Sequence, residues 1–167
     1  MARAAWLNHV PIPPENIHSV SVEHGDPPAV AAAYEQEIRA VFGLAPGELP
    51  RFDLVLLGLG EDGHTASLFP GTPALQERER LVVACFVDRL NVWRITMTAP
   101  AINAAAHIVF LVSGQSKAQV LREVLSSQYQ PERLPAQLIS PINGTLIWLV
   151  DSAAAGSHSY AGNGGAS

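Results

Sequence analysis

The sequence predicts an α/β fold: a layered, mostly parallel sheet flanked by helices. Three observations carry that prediction. Five short apolar runs, at 53–57, 81–87, 93–98, 107–112 and 145–150, have strand length. Several are almost wholly apolar, as parallel strands covered on both faces are. Segments with helical spacing separate them, and strand–helix alternation is the signature of a layered α/β sheet. At 167 residues, with 48% hydrophobic and 15% charged residues, the chain has the composition of one globular domain with a sizeable core. Residues 1–151 read as that domain.

In chain order, residues 2–9 read as a short helix closed by Pro11-Ile12-Pro13-Pro14. Residues 17–22 alternate polar and apolar and predict a strand. Pro27-Pro28 opens a helix to Phe42, with Gly43 as its stop, and Ala29, Ala33, Ile38 and Val41 are expected on its inner face. A helix is expected near 100–106. Another runs over 116–126, with Ser116 as N-cap and Ala118, Val120, Leu121 and Val124 along one face. Asn143-Gly144 reads as a turn before the last strand, and Trp93 and Trp148 as core. Residues 152–167, rich in Ala, Gly and Ser, are expected to be a flexible tail.

Composition narrows the function. A net charge of −5 argues against a general nucleic-acid binder, which needs a basic stripe, though not against a small anionic ligand. The single cysteine, Cys85, sits in an apolar run and reads as a buried thiol in a reducing compartment. No run of about 20 apolar residues is present to cross a bilayer, and the first ten residues lack a signal peptide's apolar stretch. The cytoplasm is the expected location. No metal is expected, because no Cys/His cluster has ligand spacing, and no cofactor is called for.

Chemistry concentrates after the run at 53–57, in Gly58-Leu59-Gly60-Glu61-Asp62-Gly63-His64. Gly58, Gly60 and Gly63 let the backbone turn tightly. The same letters spell G-x-G-x-x-G, nominally a dinucleotide fingerprint, with Asp88 as a ribose-binding acid. Three features oppose that reading. Glu61 and Asp62 would put two carboxylates against a pyrophosphate. Pro70 and Pro73 prevent a long helix from starting at the turn. Asp88 lies later than the usual acid position. The competing reading is acid–base chemistry: a histidine at the mouth of such a turn can do proton chemistry near neutral pH, and Asp62 two residues before His64 can orient the ring. The other histidines, His9, His18, His24, His107 and His158, have no such setting.

Two cations suit an anionic group. Lys117 follows Ser113-Gly114-Gln115-Ser116, where a strand gives way to a helix. Arg94 opens Arg94-Ile95-Thr96-Met97-Thr98, and its planar fork suits phosphate.

These segments resemble the 6-phosphogluconolactonases. The loop Gly58–Gly71 is similar to that family's signature. Arg94–Thr98, Leu111–Ala118 and Trp148–Ala154 follow in the family's order, and Trp6–His18 resembles the segment leading into the domain. The resemblance covers residues 3–155. It implies hydrolysis of 6-phospho-D-glucono-1,5-lactone in the oxidative pentose phosphate pathway. It also implies a Rossmann-like sheet of the kind found in glucosamine-6-phosphate deaminases. By this likeness His64 is the general base, Asp62 supports it, and Arg94 and Lys117 hold the substrate phosphate; the partner is a small sugar phosphate. The related deaminases carry an acidic residue before Pro-Gly where this chain has Phe69, which favours the lactonases. The family's earlier G-G-[ST]-x-P and D-E-R segments have no match here, so the sequence reads as the C-terminal two-thirds of a lactonase, N-terminally truncated. Two other functions stay open: a fragment with partial sugar-phosphate binding and impaired catalysis, and a nucleotide-binding module.

Overall fold

A computed structural model describes residues 2–20, 25–126 and 128–156. Three strands, β1 (Leu54–Gly58), β4 (His107–Val112) and β5 (Thr145–Val150), form a parallel sheet in the order β1-β4-β5. The remaining two, β2 (Val82–Val87) and β3 (Val92–Met97), form a separate antiparallel pair. The predicted α/β class stands, but the mostly parallel sheet holds three of the five strands. Only four residues join β2 to β3. So short a link folds back as a hairpin, whereas parallel neighbours need a long crossover.

Helix α2 (Pro27–Phe42) has the expected bounds. The Asp26 carboxylate caps its start at Ala29, and Gly43 ends it in the left-handed conformation (φ 63°). Its inner face differs from the expectation. Ala29, Ala33 and Val41 are exposed, and Ala31, Glu35 and Ile38 are buried. The Glu35 carboxylate sets this phase. It accepts the backbone N–H groups of Leu81 (2.9 Å) and Val82 (3.3 Å) and pairs with Arg39, so α2 is tied to the start of the hairpin. At the N-terminus, α1 covers only Ala2–Ala5, and a 3-10 turn continues over Leu7–His9. Residues 17–20 are not a strand; 21 and 22 lie outside the described residues.

On the parallel sheet, Leu57, Ile108, Phe110 and Val112 face α3 (Ala99–Asn103) and α4 (Ala118–Val124) in one buried cluster. Trp148, expected in the core, is partly buried: it stacks on Phe110 at 4.0 Å and packs against the edge of the buried cluster. Trp93 is not; it is 46% exposed beside Phe86 on the hairpin. The opposite sheet face carries Leu54, Leu56, Leu111, Ile147 and Leu149, each 45–59% exposed. The expectation of strands covered on both faces therefore holds for one face among the described residues.

Two more corrections concern the C-terminal half. Ser116 is not an N-cap. The chain leaves β4 through Gly114 (φ 92°), makes a 3-10 turn over Gln115–Lys117, and begins α4 at Ala118 with no side-chain cap. Residues 152–155 are not tail. Asp151 caps α5 (Ser152–Ala155), and Ala154 is fully buried. Residues 157–167, with His158 and Tyr160, lie outside the described residues.

Candidate active site

In the parallel sheet, Gly58 of β1 is level with Leu111 of β4, so the loops leaving both strands emerge side by side at their carboxyl ends. That edge is the usual ligand side of an open α/β sheet. The loop after β1 is held mainly by its own backbone. Gly60 N–H donates to the His64 carbonyl (2.8 Å), and Gly63 N–H to the Gly60 carbonyl (3.0 Å). Thr65, 1% exposed, donates its hydroxyl to the Gly58 carbonyl (2.9 Å). From outside, Ala136 N–H reaches the Gly63 carbonyl (2.9 Å), and Ser67 N–H reaches Thr96 Oγ1 on the hairpin (3.1 Å). No α-helix follows the turn; a 3-10 turn at Pro73–Gln76 comes next. A dinucleotide site needs a helix there, so this geometry counts against the fingerprint reading.

The three glycines do different work. A Cβ on Gly60 would lie 2.0 Å from His64 Nδ1 and 2.6 Å from Asp62 Oδ1. The His64–Asp62 pair folds directly over that bare backbone. Gly63 has φ 81° and the Leu134 side chain against it, so it serves the turn itself. Gly58 has open space around its Cα, and it contributes its carbonyl.

Asp62 Oδ1 lies 2.5 Å from His64 Nδ1, and both side chains are about three-quarters buried. Burial alone would raise the Asp62 pKa. The hydrogen bonds and charge of His64, together with Arg89, outweigh it and hold the carboxyl below its ordinary value. An ionised carboxylate only accepts, so the proton of neutral His64 sits on Nδ1 and the lone pair on Nε2. The Phe69 ring lies 4.2 Å from the His64 ring.

Lys117 comes to the same place from β4. Its Nζ is 3.9 Å from Glu61 Oε1, and its side chain is 24% exposed. A cleft of about 520 Å³ opens here, lined by Glu61, Asp62, Ser116, Gln119 and Arg133 among others. Arg94 is the third residue of β3, level with Cys85, rather than at the strand's start. It shares a hairpin face with Thr96, and Cys85 Sγ and Thr96 both contact Ser67. Arg94 is exposed and also borders a larger cavity, about 750 Å³, between the hairpin and the start of α2. Among the described residues, no other charged side chain lines that cavity, whereas Glu61, Asp62, Glu123 and Arg133 border the cleft; neither lining includes His64 or Lys117. Cys85 is buried and unpaired.

Sequence reasoning missed Arg89. It lies in the 3-10 turn Asp88–Leu90 between the hairpin strands, and its guanidinium pairs with Asp62 Oδ2. A polar turn residue 27 positions away gives no pattern that could reveal this contact. Among the described residues, no group of three or more His, Cys, Asp or Glu is arranged for a metal ion, and no helix is long and apolar enough to cross a membrane.

The family model described as glucosamine-6-phosphate isomerases/6-phosphogluconolactonase matches residues 1–148. The chain belongs to this family. A 6-phosphogluconolactonase from Nostoc is 47% identical over 154 residues, covering 92% of this chain and 63% of the relative. The human 6-phosphogluconolactonase is 39% identical over 156 residues, covering 92% and 58%. Among solved structures, a devB protein superposes with a TM-score of 0.82 at 33% identity, covering 92% of this chain and 63% of that one. The 6-phosphogluconolactonase of Trypanosoma cruzi gives 0.77 at 31%, with the same coverage. A monomeric glucosamine-6-phosphate deaminase gives 0.60 at 26% identity, covering 81% of this chain and 57% of that one. The chain thus spans less than two thirds of the length of these curated relatives.

Proposed function

We propose that this chain hydrolyses 6-phospho-D-glucono-1,5-lactone to 6-phosphogluconate, with His64 as general base. The observation that carries the reading is the 2.5 Å contact of Asp62 with His64 Nδ1, which leaves Nε2 as the free base. The relatives named 6-phosphogluconolactonase support the substrate.

In this mechanism Nε2 takes a proton from water as the water oxygen bonds to the lactone carbonyl carbon. The carbonyl becomes an oxyanion. When that intermediate collapses, the bond from carbon to ring oxygen breaks, and the imidazolium returns its proton to the departing oxygen. Asp62 stabilises the imidazolium in between. Lys117 and Arg94 bind the phosphate, so binding far from the carbonyl orients the reacting end. We place the reaction in the cytoplasm; the unpaired Cys85 fits a reducing compartment.

The test is acid release from the lactone, with the spontaneous rate subtracted. His64→Ala removes the excess rate and leaves binding of 6-phosphogluconate intact. Lys117→Ala raises KM by about tenfold and changes kcat little. A folded chain with no excess rate refutes the proposal. In that case 6-phosphogluconate binding would favour the non-catalytic sugar-phosphate reading.

A further inference from the structure

We propose that Arg89 is a positioning residue for the His64–Asp62 pair: it locks the Asp62 carboxylate so that one oxygen always receives the His64 Nδ1 proton. The proposal deepens the reading of His64 as base and rests on it.

Four side chains close a ring. Asp62 Oδ1 meets His64 Nδ1 at 2.5 Å. The His64 ring lies 4.2 Å from the Phe69 ring, with 31° between their planes. The Arg89 guanidinium carbon is 5.2 Å from the centre of the Phe69 ring. Arg89 then returns to Asp62 through Oδ2. A carboxylate with a different donor on each oxygen cannot rotate about its terminal bond without losing one of them. Asp62 is gripped in this way from two directions, by its own loop and by the hairpin turn. The turn itself is closed: Asn91, in the left-handed conformation (φ 49°), donates its N–H to the Asp88 carbonyl at 3.0 Å. Arg89 therefore projects from a defined backbone rather than from a loose loop.

Arg89 is 53% exposed, and an ion pair at such a site is usually weak. What separates it from an ordinary surface pair is the second contact. The guanidinium lies over the Phe69 ring and also holds Asp62, and Phe69 in turn backs the His64 ring. Removing Arg89 frees one carboxylate oxygen and one face of Phe69 together, both next to the base. Arg89 is half-exposed in a surface turn that contains no buried residue, so its replacement should leave the core packing in place.

The experiment uses the full chain with Arg89→Ala, Arg89→Lys and Asp62→Asn, and two readouts. The first needs no turnover. It is the far-downfield proton resonance of His64 Nδ1–H, assigned by its loss in His64→Ala. We expect the resonance in the parent, its broadening into solvent exchange in Arg89→Ala, and only a partial return in Arg89→Lys, whose ammonium can hold Asp62 but cannot replace the guanidinium over Phe69. The second is steady-state lactone hydrolysis. We expect kcat to fall about tenfold in Arg89→Ala with KM unchanged, to recover in part in Arg89→Lys, and to fall no further when Arg89→Ala is added to Asp62→Asn. A resonance and kcat that survive Arg89→Ala overturn the proposal and leave a surface ion pair. Effects of Arg89→Ala and Asp62→Asn that multiply also overturn it, as does a change confined to KM, which would make Arg89 a substrate contact. If no variant hydrolyses the lactone but the resonance follows the expected order, positioning stands and the lactonase reading falls.

Discussion

Replacing Gly60 by alanine separates the site from the fold. Gly60 is not among the residues with positive φ, so its backbone accepts an alanine without strain. The added Cβ would lie 2.0 Å from His64 Nδ1, 2.2 Å from Cε1 and 2.6 Å from Asp62 Oδ1. Carbon and nitrogen pack at about 3.5 Å, so the ring must retreat by roughly 1.5 Å. About a quarter of the His64 side chain is exposed, and it gives way by swinging toward that open side. The cost to stability is one hydrogen-bonded pair, about 1 kcal/mol. The reduced freedom of the unfolded chain offsets about half of that. The cost to chemistry is larger: a misplacement near 1 Å lowers turnover on the order of 100-fold. Gly63→Ala behaves in the opposite sense. At φ 81°, with Leu134 Cδ2 at 2.7 Å and Leu134 Cα at 3.1 Å, alanine meets both backbone strain and a neighbour's main chain. We expect it to cost about 2–3 kcal/mol of stability. Thermal unfolding and lactone hydrolysis, measured on both variants, check the pair. A Gly60→Ala protein with parental turnover refutes the argument that the base and its carboxylate fold over Gly60. A Gly63→Ala protein as stable as the parent refutes the role given to the turn.

Three further expectations concern the framework. Glu35→Ala leaves Arg39 and the N–H groups of Leu81 and Val82 without their shared acceptor, and should cost about 3 kcal/mol in chemical denaturation. Thr65→Val removes the buried hydroxyl bonded to the Gly58 carbonyl and should cost about 1 kcal/mol, with a smaller loss of turnover than Gly60→Ala. Glu77 gives the fold a pH dependence. Burial pulls its carboxyl up, but the N–H groups of Glu79 and Arg80 and the Arg80 guanidinium outweigh burial and hold the pKa at about 2, against an ordinary 4.5. Its stabilisation is complete above pH 4.5 and is lost as pH falls through about 2. Discounted for the exposed Arg80 partner, it is worth about 1 kcal/mol, and Glu77→Gln should flatten that part of the stability curve. An unchanged slope would contradict it.

The parts of this structure that were legible from sequence are those set by local rules. The five strands were legible because each is a short apolar run broken by Gly, Pro or polar residues. The bounds of α2 were legible because Asp26, Pro27 and Gly43 act within one turn of its ends. Its inner face was not legible. Alanines surround the helix, so periodicity has little contrast, and the phase comes from Glu35 meeting backbone donors 46 and 47 residues away. The same divide runs through the site. Asp62 and His64 are neighbours in one turn and could be paired by spacing. Arg89 joins them only because the hairpin folds back onto the loop. Trp93 was misplaced for a related reason. An apolar strand implies burial only when both its faces are covered, and the hairpin leaves one face of β3 open.

The open face of the parallel sheet and the candidate site depend on different sides of the same strands. Leu54, Leu56, Leu111, Ile147 and Leu149 point away from the buried cluster. The loop bearing His64 is secured by contacts with the 130s segment, the hairpin and Leu57, Leu59, Leu68 and Phe69, all on the covered side. Exposed aliphatic side chains on a sheet chiefly affect association and solubility. The pairing of Asp62 with His64 is instead set by Gly60, by the bonds across the turn and by the guanidinium of Arg89. Substitutions on the open face should therefore alter how the chain associates before they alter the geometry of the base, whereas one methyl group at Gly60 reaches the base directly.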